Sequence, residues 1–163
     1  MRRTEGHWDA GFTIIEATVV VAIAAVLVGL GWPLTSRLLD RSELVTAMDA
    51  LRAEVRAAQR EARASGRVVE MRVDPSAGRY VVGPVGERGR VSRLPAGVTF
   101  GFPDDAGSDG VTFRDNTVRF SPRTGLQASF GSIALRSRGG ARKITVSITG
   151  HTAIARWDGR AWR

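Results

Sequence analysis

From Ala17 to Ser36 the chain reads ATVVVAIAAVLVGLGWPLTS without one charged side chain, and no other stretch restricts the possible folds so tightly. Apolar character reaches back through Phe12, Ile14 and Ile15. About 20 residues wound as a helix at ~1.5 Å each reach ~30 Å, which matches the hydrocarbon thickness of a bilayer. The segment therefore predicts a membrane-spanning helix, because a soluble domain seldom needs a helix this long and this uniformly apolar. A secretory signal peptide would have a shorter apolar centre and a small-residue cleavage site at its far end. Here the run passes straight into Arg37, Asp40 and Arg41.

The near end of the run holds an anomaly: in Gly11-Phe12-Thr13-Ile14-Ile15-Glu16 a carboxylate sits five residues after a glycine, among apolar neighbours. An ionised group at membrane depth costs roughly 3 kcal/mol, so it normally has a partner or a task. A cut between Gly11 and Phe12 would create an α-amine four residues from Glu16. The same amine on a neighbouring copy could pair with that carboxylate in a bundle. The alternative reading places Glu16 in the headgroup region with no partner.

GFTIIE followed by an apolar helix resembles the class III signal of type IV pilins and type II secretion pseudopilins. The resemblance implies that a prepilin peptidase cuts after Gly11 and methylates the new N-terminal Phe12, and that Glu16 sets register as subunits join a filament. It also implies other pilins or pseudopilins, an inner-membrane assembly platform and the lipid bilayer as partners. Pro33 falls where this family often has a helix-disrupting proline. With Gly29 and Gly31 before it, a bend or melted turn is expected there. Arg2 and Arg3 suit a cytoplasmic flank, although Glu5 and Asp9 dilute the basic excess of the leader.

Beyond the run, Leu44, Met48, Leu51, Val55, Ala58 and Ala62 recur at spacings of four and three, which places them on one helical stripe. Arg52, Arg56, Arg60 and Arg63 mark another face, and Ser65-Gly66 supplies a stop. After Gly66 come short runs rich in Val, Ile, Phe and Thr, separated by turn residues as in a β module. Strands are predicted near Val68 to Val73, Arg79 to Val82, Gly89 to Leu94, Val98 to Phe102, Val111 to Phe113, Val118 to Phe120, Ser132 to Leu135, Ile144 to Ile148 and Ala153 to Trp157. Asp74 to Gly78 and Asp115-Asn116 are the predicted hairpin turns, while Gly83 to Arg90 and Arg136 to Arg142 read as loops.

The expected fold class is α+β: a leader over 1–11, a membrane and assembly helix over 12–36, its soluble continuation over 37–66, and a β-rich head over 67–163 that covers the stripe. Such an arrangement is pilin-like. Val118 to Gly125, with the strands around Ile133 and over Ile144 to Ile148, resembles the head of GspH/FimT-type minor subunits. That resemblance implies a single-pass inner-membrane protein with a periplasmic head.

The chemistry available to the head is narrow. Without cysteine there is no disulfide, thiol nucleophile or thiolate metal site. Within the resemblance, this fits a minor subunit or pseudopilin better than a major pilin closed by a disulfide. Histidine is limited to His7 and His151, and no metal site or cofactor is expected. Asp104, Asp105 and Asp109 lie on one loop, but their spacing is not that of an EF-hand, and they read as a solvated turn. No catalytic constellation emerges, so the chain is not expected to be an enzyme.

The formal charge is +8, carried almost wholly by arginine, since Lys143 is the single lysine. Towards the C-terminus Arg136, Arg138, Arg142, Lys143, Arg156, Arg160 and Arg163 are opposed by Asp158, with Trp157 and Trp162 interleaved. Guanidinium groups can neutralise phosphates, and indoles can stack on single-stranded bases. Some FimT-like minor pilins bind DNA through a Gly-Arg-x-Arg motif. At the corresponding position Gly150-His151-Thr152-Ala153 lacks both arginines, while Gly159-Arg160-Ala161-Trp162-Arg163 has the second one residue late. The leading expectation is a minor pseudopilin of a type II secretion system, assembled into a periplasmic pseudopilus for protein export. The alternative is a type IV minor pilin that binds DNA for uptake through this basic surface.

Overall fold

The spacing of Leu44, Met48, Leu51, Val55, Ala58 and Ala62 is realised as one helical face, each residue 2% exposed or less. In the computed structural model, which describes residues 13–105, 107–123, 125–126 and 130–163 and leaves the side chains of 28–40 undescribed, this face belongs to α1 (Ile14–Ser65, 52 residues). No turn is melted at Pro33, because α1 stays helical through it. Proline removes one N–H from the ladder, which opens a rung without having to end the helix. The stop falls where Ser65-Gly66 placed it, with Gly66 at φ +68°, the left-handed geometry that glycine adopts at helix ends.

The chain divides into two units, Met1–Ser36 and Arg37–Arg163. Among the described residues of the second, nine strands form two antiparallel sheets: β1 (Val69–Asp74), β2 (Arg79–Pro84), β3 (Arg90–Arg93), β4 (Thr99–Phe100), β5 (Thr117–Ser121), β6 (Gly125–Leu126), β7 (Gly131–Ser137), β8 (Gly140–Val146) and β9 (Thr152–Arg156). One sheet has the order β3-β2-β1-β5-β6 and the other β4-β7-β8-β9. Alternation along each strand decides what lies inside. In β1, Val69, Met71 and Val73 are buried while Arg72 is exposed. Tyr80, Val82, Val118 and Phe120 from the first sheet, and Phe100, Ile133, Leu135, Ile144 and Val146 from the second, join them and the helical stripe in one core.

Polar contacts tie these layers together at their margins. Arg90 of β3 pairs with Glu61 at 3.1 Å, and Gln59 Nε2 donates to the Gly150 carbonyl at 2.7 Å. The sheets meet where Leu126 N donates to Ile148 O at 3.1 Å.

Several sequence expectations change in the folded chain. The β1–β2 hairpin turns at Asp74 to Gly78 as predicted, with Asp74 Oδ1 accepting from Ser76 Oγ at 2.8 Å and Ala77 N at 3.1 Å. Asp115-Asn116 does not close a hairpin. Both residues have positive φ, 54° and 50°, and they redirect the chain between partners: Val111 makes one bridge to Ile133, whereas β5 pairs with β1. Val111 to Phe113 is accordingly not a strand. Arg136 to Arg142 is a tight β7–β8 hairpin, with Ser137 opposite Gly140. Gly139 is required at its tip, since a Cβ there would lie 2.7 Å from the Arg41 backbone nitrogen. At two residues, β6 is too short to display a period.

Candidate functional site

Gly11 and Phe12, the expected cleavage pair, lie outside the described residues, as does the side chain of Pro33. Their neighbour Glu16 is described, and it has a local structural role. Thr13 precedes the first helical residue, and Glu16 N donates to Thr13 Oγ1 at 3.2 Å. In return Glu16 Oε2 accepts from Thr13 N and Thr13 Oγ1, both at 3.2 Å. This reciprocal pair is a capping box, which satisfies two of the N–H groups that a helix start leaves unpaired. The signal was present in the sequence as Thr-x-x-Glu. Glu16, expected to act between subunits, thus also has a role within its own helix.

Along the first turns of α1 the apolar side chains have no covering. Ile14 is 86% exposed, Val21 67% and Leu27 66%. Among the described residues no helix is long and apolar enough to cross a membrane. Phe12 and the side chains of 28–36, which complete the run read as membrane-spanning, are outside that description.

The basic residues near the C-terminus do not form one stripe. Arg138 is exposed at the β7–β8 tip and Arg160 in the final turn. Arg163 Nε pairs with Asp158 Oδ2 at 2.7 Å. Arg136 and Lys143 share, by alternation, the face of the second sheet turned away from the core. There Lys143 Nζ lies 4.7 Å from the Trp162 ring centre, a cation–π distance. Trp162 also packs edge-on to Trp157 at 5.3 Å and to Phe102 at 6.2 Å. Ala134 and Ala141 are buried although they lie outside the main core cluster, in keeping with a covered outer face.

Arg142 and Arg156 are opposite one another on β8 and β9. They line a cleft of about 250 Å³ with Arg41 of α1, Gly139, Trp157 and Asp158. Asp158 Oδ1 accepts from Ala161 N at 2.7 Å and Arg160 N at 2.8 Å. Those backbone donors, with a smaller contribution from the Arg156 charge, hold its carboxyl below the usual range. They also shape the turn that brings Trp162 back beside Trp157, a chain reversal the sequence reading missed despite the Asp158-Gly159 signal.

The acidic loop is likewise organised by its own backbone. Asp105 Oδ1 accepts from Gly107 N and Asp109 Oδ1 from Val111 N, each at 3.1 Å. Among the described residues no three acidic, histidine or cysteine side chains are grouped to hold a metal ion.

A helix with one face buried against two antiparallel sheets is a pilin-like architecture, and the comparisons narrow it further. Residues 47–150 match the family model described as "Type II transport protein GspH". The chain belongs to the GspH family. Its fold is similar to that of the minor pseudopilin EpsH from the type 2 secretion system of Vibrio cholerae, with TM-score 0.52, 12% identity, and coverage of 69% of this chain and 95% of that one. It is also similar to the type IV minor pilin FimU of Pseudomonas aeruginosa, with TM-score 0.55, 15% identity, and coverage of 77% and 96%. No curated protein sequence matches the chain. Family and fold together define a pilin-like minor subunit, a structural component rather than an enzyme.

Proposed function

We propose that this chain is a minor pseudopilin of a type II secretion system, made with a leader, cut between Gly11 and Phe12, methylated on Phe12, and assembled through α1 into a periplasmic pseudopilus. The supporting observation is the coincidence of a GspH-family head with an α1 start whose apolar side chains are exposed around one carboxylate, Glu16. Lipid, and then neighbouring helices, would cover that apolar surface. In this reading a prepilin peptidase processes the chain, an inner-membrane platform receives it, and other pseudopilins pair with it. The head lies in the periplasm on a single membrane pass.

Glu16 would then act twice, capping its own helix and meeting the α-amine of an adjacent subunit's Phe12. Replacement by glutamine separates the two roles, because Gln also completes a capping box while carrying no charge. Glu16→Gln should insert in the membrane normally and fail to co-purify with the other filament subunits. Incorporation at the wild-type level would refute the pairing.

Capture of DNA, the alternative function, has less support from the geometry. The basic residues are divided between two faces and a turn, and both indoles already pack against other rings.

A further inference from the structure

We infer that the cleft between Arg41, Arg142 and Arg156 is a binding site for the phosphate of an anionic phospholipid headgroup. Three elements each contribute an arginine to its lining: α1, β8 and β9. Arg142 and Arg156 are register partners on adjacent antiparallel strands, and like charges directly opposite one another repel. Among the described residues none of the three forms an ion pair with a carboxylate. The carboxylate in the cleft wall, Asp158, already accepts from two backbone N–H groups and pairs with Arg163. The arrangement therefore has an unneutralised excess of positive charge that a phosphodiester would relieve. The planar guanidinium fork suits phosphate oxygens.

Location selects lipid over other phosphates. Arg41 follows Ser36, the end of the uncharged run, by five residues, which span at most about 17 Å even when fully extended. If that run crosses the bilayer, Arg41 and the cleft it lines are held within reach of the headgroups. Trp157 in the cleft wall is a residue type favoured at that depth, where its ring and N–H face different solvents. The inference rests on the membrane reading of the run, and its test keeps the two apart.

The full chain is reconstituted with equal amounts of phosphatidylglycerol and phosphatidylcholine, and alkaline extraction reports insertion. Native mass spectrometry of protein released from mixed micelles then reports which lipid it retains. Wild type should retain phosphatidylglycerol preferentially, and each of Arg41→Gln, Arg142→Gln and Arg156→Gln should lower that preference about fivefold. Arg142→Lys and Arg156→Lys should keep most of it, and Arg138→Gln, outside the cleft, should keep all of it. An inserted chain that retains both lipids equally overturns the site while leaving the membrane helix intact. A chain removed by alkaline extraction sinks both. Inorganic phosphate, or a short DNA duplex, displacing the lipid at equal concentration would overturn the assignment to lipid in favour of that ligand.

Discussion

Glu16 illustrates how much a single side chain can carry. Its carboxylate closes a capping box with Thr13, and a negative charge in the first turn is also favoured by the helix dipole. Glu16→Ala removes the charge and the carboxylate half of the box, leaving the backbone N–H of residue 16 on Thr13 Oγ1. Relative to Glu16→Gln it should show weaker helicity over the first turns of α1, by about 1 kcal/mol of capping energy, which amide exchange near Ile15 to Thr18 would detect. Equal exchange in the two variants would deny the cap any weight. Asp158 makes a second residue-level case. Backbone N–H donors hold its pKa below the ordinary 3.8, so its stabilisation of the final turn is complete above that value and is lost as pH falls through the lowered one. Acidification through that window should shift the NMR signals of Ala161 and Trp162 before those of the core strands. A turn that opened on raising the pH would contradict the assignment.

At the scale of elements, the second half of α1 was the most legible part of the sequence. Six apolar positions at spacings of four and three have one geometric solution, and all are buried. Leu51→Ala removes a side chain with no exposure from this face and should cost 2–5 kcal/mol, read as a lower urea midpoint by tryptophan fluorescence. A midpoint within error of wild type would mean that the helix does not hold the sheets. The longer strands were legible too, because Val69, Met71 and Val73 alternate with polar residues. What failed was pairing. Asp115-Asn116 has the composition of a hairpin turn, but its flanks find partners in different sheets, a choice made by long-range contacts. Arg136 to Arg142 looked like a loop because it is basic and glycine-rich. Gly139 and Gly140 instead allow a tight reversal against Arg41. The C-terminal basic residues were visible one by one, whereas their division between faces depends on a register the sequence does not display.

For the whole molecule, family membership rests on residues 47–150, and the likeness to EpsH and FimU establishes the shared fold. The proposed choice of machine rests on the GspH-family head, and the proposed processing of the N-terminus on Gly11 to Glu16, a few residues whose chemistry is unusual in an apolar setting. The most direct test is intact-mass and N-terminal peptide analysis of the protein recovered from the native membrane. The expected result is a chain that begins at Phe12 with one methyl group on its α-amine. A native chain that still carries Met1 to Gly11 would contradict the account and leave a membrane-tethered β domain with no route into a filament.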